Sequence, residues 1–290
     1  MSKIYYHYCS LETLIHIIKD KKIRLCNIGK MNDEQECIDI EKILLKIIAD
    51  EKLDKSNPEI LDLVRTYRDY RDDRHMPYIA CFSEENDRLS QWRAYANDGQ
   101  GVCIGFDFED FEDMEEQSPS LVTIVGTNLG YSKVIYSIDE KKGIIDESIK
   151  YFIEVMKKAK NDFGLMQTLN DAVSNRLLKN TTIFKNQAFE EEAEYRIIYL
   201  PLTNSVKEID LDSNDSTLVY LKDTVELKRN FYAKKDTIVG FYEYPFKAKA
   251  IKNIVLGPKC KLDSNDIDLK NLLKDNHIEA KIYKSKASYR

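Results

Sequence analysis

Short β-prone runs crowd both ends of this 290-residue chain, and long runs with helical periodicity lie between them. Strands grouped apart from helices imply an α+β architecture. Residues 3–8 are aromatic and β-prone, and Ser10 then offers an N-cap to a helix with Leu11, Leu14, Ile15 and Ile18 on one face. A second strand is expected at 22–28. Asn32 and Asp33 open a helix in which Asp33 and Glu36 fit a capping box and Cys37, Ile40, Ile43, Leu44 and Ile47 turn inward. Ser56 and Glu59 repeat that pattern ahead of a helix ending near residue 71.

Further strands are expected at 78–83 and 102–108, with a short helix holding Trp92 and Tyr95 between them. Seven of the ten residues at 107–116 are acidic, which reads as an exposed, solvated loop. Strands at 121–125 and 131–136 precede a long helical region that Ser137 and Glu140 cap and that reaches about residue 180. The last third returns to β, at 194–200, 217–221, 237–243, 251–256 and 277–284, with one amphipathic helix near 267–274. No stretch rich in Gly, Ser or Pro divides the chain. One composite domain over 1–290 is expected, with helical insertions at approximately 33–75 and 137–180.

Composition removes several function classes. With 44 basic against 50 acidic side chains the net charge is −6, which excludes a strongly basic nucleic-acid coat. The apolar runs are far shorter than a membrane helix needs, and the first residues lack a signal-peptide core, so a cytoplasmic protein with no membrane partner is expected. The six cysteines and four histidines show no metal-ligand spacing. Asp210, Asp212 and Asn214 imitate an EF-hand start without its Gly and closing Glu, so no metal is expected.

Three clusters place polar side chains where a purely structural strand would carry aliphatics: Tyr6-His7-Tyr8-Cys9-Ser10, Cys81-Phe82-Ser83 with Trp92 and Tyr95 following, and 189–198 with Glu192, Glu194 and Arg196. Read as one strand, the last puts Glu192, Glu194 and Arg196 on one face and Tyr195, Ile197 and Tyr199 on the other. An Arg beside two carboxylates holds them ionised and can also meet a pyrophosphate.

Residues 4–25 resemble the opening strand and helix of the ADP-ribosyltransferase superfamily, particularly DarT-like toxins. The order of the Asn32-Asp33 turn, the Cys81-Phe82-Ser83 strand, Trp92-x-x-Tyr95-Ala96 and Glu192-x-Glu194-Tyr195-Arg196 is similar to a widespread bacterial domain-of-unknown-function family, over nearly the whole chain. The first resemblance implies a split β-sheet core that binds NAD as substrate without a Gly-rich phosphate loop. It implies Glu194, Glu192 and His7 as catalytic residues, and Tyr8, Ser10, Asn32, Asp33, Ser83, Trp92, Tyr95 and Arg196 as lining the NAD pocket. A fixed carboxylate would stabilise the positive charge that develops on the ribose as nicotinamide departs. The expected activity is NAD-dependent transfer of ADP-ribose to a nucleic acid or protein acceptor, in a toxin or phage-defence effector with an antitoxin or regulator as partner. Glu194→Gln is then expected to keep the fold and remove most catalysis.

Two other readings compete. One is a non-catalytic binding or scaffold protein that keeps the fold, recognised by a Glu194 buried against Lys or Arg with no open cleft beside it. The other is a nucleic-acid-processing enzyme, suggested by basic stretches at 157–160 and 281–290.

Overall fold

In the computed structural model of the protein, the described residues are 3–30, 36–72, 76–112, 114, 116, 128–159, 162–201, 225–234 and 236–289. The strands and helices, in chain order, are β1 (Ile4–Cys9), α1 (Leu11–Asp20), β2 (Lys22–Asn27), α2 (Glu36–Asp50), α3 (Leu53–Ser56), α4 (Ile60–Asp72), β3 (Tyr78–Ser83), α5 (Leu89–Tyr95), β4 (Val102–Asp107), β5 (Leu129–Lys133), α6 (Ile138–Lys158), α7 (Phe163–Thr181), β6 (Glu194–Tyr199), β7 (Arg229–Lys234), β8 (Thr237–Pro245), β9 (Ile251–Leu256), α8 (Ile267–Asp275) and β10 (Lys281–Lys284). Among the described residues the architecture is mixed α/β around one large open sheet of ten strands, whose pairings are antiparallel except between β9 and β10.

The sheet parts along one edge of β3. Its other edge pairs with β6 over the full length, from Tyr78↔Tyr199 to Ser83↔Glu194. The parting edge meets β1 only at Tyr6↔Ser83 and β2 only at Cys26↔Ile79 and Asn27↔Tyr78. Because β1 and β2 both run antiparallel to β3, they are parallel to each other and need the crossover helix α1 between them. Ser10 caps that helix, its Oγ accepting from the Thr13 backbone N–H at 3.1 Å. Leu14, Ile17 and Ile18 then fall on the buried face.

One face of the sheet packs Tyr5, Ile23, Leu25, Phe82, Ile104, Tyr195 and Ile197 against α1 and α8. The opposite face packs Ile79 and Ile198 beneath α2, α4, α6 and α7, whose Ile40, Leu44, Leu63, Ile145, Ile149, Phe152, Leu169 and Leu177 form a second core. Burying each such side chain contributes about 1.5–3 kcal/mol, so these two cores are the main support of the sheet. A small third cluster, Tyr8, Trp92, Ala96, Cys103 and Val255, lies on the second face beneath α5.

The long helical region at 137–180 is two helices. Ser137 caps α6 as expected, and Asp162 then starts α7 by accepting from the Leu165 N–H at 3.0 Å. Ser56 does not cap the next helix: it ends the short α3, its hydroxyl donating to the Leu53 carbonyl, and α4 begins at Ile60. The strand expected at 277–284 is confined to Lys281–Lys284, because the chain first turns through a left-handed His277 (φ 58°). The acidic stretch is not a free solvated loop. Asp107 is buried, Lys252 bridges Asp107 and Asp110, Lys249 bridges Asp110, and Lys247 bridges Glu112. Lys252 of β9, 142 positions from Asp110, and the two lysines before that strand thus pair with three of the acidic residues, which no local reading of the charges could show. The strands expected at 121–125 and 217–221 lie outside the described residues. Among the described residues no helix is long and apolar enough to cross a membrane.

Candidate functional site

Strand alternation sends Glu194 and Arg196 to the second face of the sheet and Tyr195, Ile197 and Tyr199 into the first core, as the sequence implies. Glu192 is not in the strand. It ends a 3-10 turn, Gln187–Glu192, and the chain enters β6 through Ala193 in the left-handed region (φ 43°). The turn is pinned to the sheet by Ser83, whose hydroxyl donates to the Glu192 carbonyl at 2.7 Å, and by the Glu84 N–H donating to the Ala193 carbonyl at 3.0 Å.

Lys185 is what brings the two carboxylates together. Its ammonium donates to Glu192 Oε2 at 2.5 Å and to Glu194 Oε2 at 2.9 Å. Arg196 grips Glu194 with two bonds, Nε to Oε1 at 2.8 Å and an Nη2 to Oε2 contact at 3.1 Å, and its Nη1 donates to the Thr182 carbonyl at 2.6 Å. Tyr136 accepts from the Glu194 backbone N–H at 3.1 Å. Two cations and two carboxylates thus form a neutral buried network. Such a network is tolerable only because every charge is met.

Burial pushes the Glu194 carboxyl up, but the Arg196 guanidinium and the Lys185 ammonium outweigh it and hold the group at about 2. Burial pulls Lys185 down, and Glu194 and Glu192 more than reverse that, leaving it raised. The Cys81 thiol, in hydrogen-bond contact with Glu194, is pushed well up by burial and then by that carboxylate, so it stays protonated. Tyr95 borders the network. This residue is 44% exposed, and its hydroxyl donates to Glu192 Oε1 at 3.2 Å. Phe189, 40% exposed, lies under the Lys185 ammonium at 5.1 Å from ring centroid to nitrogen. Glu192 is the carboxylate nearer solvent, its side chain 11% exposed against 4% for Glu194.

The remaining expected site residues divide. Ser83, Glu192, Glu194, Tyr95 and Arg196 come together. Arg196 is 2% exposed and bonds Glu194 and Thr182, so it does not face a pyrophosphate. His7 is on the other face of the sheet from Glu194: Tyr6 pairs with Ser83, so its neighbour points away. Its Nδ1 donates to the Cys81 carbonyl at 2.9 Å, filling the gap where β1 leaves β3, and burial lowers its pKa so that the ring is neutral. Tyr8 donates to the Glu85 carbonyl at 2.7 Å and accepts from the Arg88 N–H at 3.0 Å. Trp92 is fully buried, with Nε1 donating to Asp87 at 2.7 Å, and Ser10 is spent on its cap. Those three hold the framework. Asn32 and Asp33 lie outside the described residues.

Sequence reasoning missed Lys185 and Tyr136. A single Lys after Thr-Ile-Phe at 182–184 carries no pattern; only its position beneath β6 gives it a role. A groove of about 420 Å³ lies between α8 and β10, lined by Lys270, Leu273, Lys274, Ile278, Ala280 and Ile282 among others, and none of the network residues borders it.

A family model described as "Protein of unknown function (DUF2971)" matches residues 91–197. The matched stretch runs from α5 through β6 and contains Trp92, Tyr95, Lys185, Glu192, Glu194 and Arg196. It supports the domain-of-unknown-function resemblance there and leaves Asn32-Asp33 and Cys81-Phe82-Ser83 outside the match. No curated protein and no solved structure matches the chain.

Proposed function

We propose that this protein is an NAD-dependent ADP-ribosyltransferase-like enzyme acting on a nucleic acid or protein acceptor, with Glu192 rather than Glu194 meeting the substrate. The observation that carries the reading is the placement of the Glu192 carboxylate. It is fixed from within by Lys185 at 2.5 Å and from the other side by the hydroxyl of Tyr95, a half-exposed residue, at 3.2 Å. The parting of β1 and β2 from β3 supports a split-sheet core of the kind the resemblance implies.

In the reaction the bond from ribose C1′ to the nicotinamide nitrogen breaks and its electron pair leaves with nicotinamide. The acceptor's nucleophile forms the new bond to C1′ and gives up its proton to solvent water. Positive charge grows on the ribose between those events, and a preorganised carboxylate stabilises it by about 3–4 kcal/mol. Glu194 is a positioning residue: gripped by Arg196, it holds Lys185, and Lys185 holds Glu192. A toxin or defence role and an antitoxin rest on the resemblance alone.

One observation favours a second reading, a non-catalytic protein that keeps the fold: Glu194 is closed off by Arg196 and Lys185. Nicotinamide release from NAD separates the two. Wild-type protein, Glu192→Gln and Tyr95→Phe are assayed with and without RNA, DNA and protein extract, alongside unfolding curves. Release that falls at least ~100-fold in a folded Glu192→Gln supports the enzyme. Absence of both release and NAD binding by the wild type leaves the second reading.

A further inference from the structure

The sheet ends at β10, which pairs with β9 on one side and, among the described residues, with no strand on the other. The Ser285 N–H donates to the Leu256 carbonyl of β9 at 2.8 Å. A parallel ladder turns alternate residues toward its partner, so Lys284 and Ile282 turn their backbone N–H and C=O groups to the open edge. Two donors and two acceptors thus stand in a row along an unpaired strand edge, a ready template for another extended chain.

That edge borders the groove against α8. The floor of the groove is apolar: Leu273 and Ile278 are buried, and Ala280 and Ile282 are partly so. Lys270 and Lys274, one turn apart and both exposed, form the helical rim, and Lys281 and Lys284 stand exposed on the strand. Lys270 bonds the Asn265 side chain at 2.9 Å and Lys284 bonds the Cys260 and Leu262 carbonyls. None of the four lysines is ion-paired among the described residues, and Glu279 is the single carboxylate of the lining there. An apolar slot beside a free strand edge, with positive charge in excess, calls for an extended chain that is apolar on one side and acidic on the other. A second copy of β10 fits poorly, because antiparallel pairing sets Lys281 against Lys284 and like charges opposite each other repel. A nucleic acid also fits poorly, because no aromatic ring lines the groove for a base to stack on.

We propose that the groove between α8 and β10 binds an extended acidic segment of a partner protein, which adds to the sheet as a strand on β10. Its main chain pairs with Ile282 and Lys284. Alternate apolar side chains enter the groove, and the acidic residues between and beyond them meet Lys281, Lys270 and Lys274. The site is independent of the chemistry proposed above, since none of the network residues borders it.

The test is fluorescence anisotropy of labelled peptides against the full chain. The probes are Glu-Val-Glu-Leu-Glu-Val-Glu, the same peptide N-methylated on two adjacent central residues, and a version with Lys for every Glu. Wild type is expected to bind the first with a Kd below about 1 mM. Methylation keeps charge and side chains but removes a donor from each edge, and is expected to weaken binding at least ~5-fold. The Lys peptide, and Lys270→Glu combined with Lys274→Glu, are each expected to weaken it at least ~10-fold. Wild type that binds the acidic peptide no more tightly than about 1 mM overturns the proposal. Equal binding of the methylated peptide also overturns it, a comparison that needs only wild type, as does undiminished binding by the folded double variant. A single-stranded oligonucleotide that displaces the peptide assigns the face to nucleic acid instead. A wild-type dimer in sedimentation that excludes the peptide assigns it to a second copy, and either result overturns the proposal.

Discussion

Replacing Glu194 by Gln tests whether the buried network is the strut the distances imply. The substitution keeps size and removes one negative charge from between Arg196 and Lys185, which lie within 2.8–3.1 Å of it. The carboxyl is held at about 2 against an ordinary 4.5, which at about 1.4 kcal/mol per decade corresponds to about 3 kcal/mol of folding stability. Breaking a buried ion pair on one side costs about 3–5 kcal/mol by a separate route, in the same range. The sign follows from linkage. A depressed carboxylate contributes fully above the unfolded value near 4.5 and loses that contribution as pH falls toward about 2. Urea unfolding followed by far-ultraviolet circular dichroism at pH 7 is therefore expected to show a loss of about 3 kcal/mol in Glu194→Gln, with the gap narrowing between pH 4.5 and pH 3. A pH 7 gap under about 1 kcal/mol, or one unchanged at pH 3, would refute the reasoning.

Other consequences follow from the same geometry. Pairing Glu194→Gln with Lys185→Met should cost less than the sum of the two single losses, because the variant removes both charges of one pair; a double-mutant cycle in urea measures this. Asp162→Ala should lower stability by about 1 kcal/mol through loss of the α7 cap, read from the same curves. Asp87→Ala leaves the Trp92 Nε1, the Ser285 hydroxyl and the Lys286 N–H without their acceptor, so it should destabilise by about 1–3 kcal/mol or more and shift the fluorescence of the sole tryptophan. Gly105→Ala should be destabilising in the wild type and nearly neutral in an Asn253→Ala background, since the clash is with that side chain. Equal costs in both backgrounds would place the strain elsewhere.

Several contacts were read correctly because their physics is local, although the Ser56 cap was not. The alternation in β6 follows from a period of two, so the opposite faces of Glu194 and Tyr195 need no partner strand to be known. The caps at Ser10 and Ser137 are contacts made within one helical turn. The same logic failed at Glu192, because a left-handed Ala193 breaks the alternation and nothing in Glu-Glu-Glu-Ala-Glu announces it. It failed at His7 too. The ring lies one residue from Tyr6 in the chain but on the opposite face from Glu194, and that relation depends on how β1 meets β3, 74 positions away.

The sequence alone therefore placed most of the strands and helices, though not β7, and determined which side of β6 is apolar and that a carboxylate and an arginine share its other side. Only the tertiary structure decided that Lys185 joins Glu192 to Glu194 and that the acidic stretch is clamped by lysines of β9 and the segment before it. The reason is range. Propensity, capping and alternation act within a few residues, whereas charges such as Asp110 and Lys252, 142 residues apart, are brought together by the pairing of β4 with β9, and pairing is settled by the packing of the whole sheet.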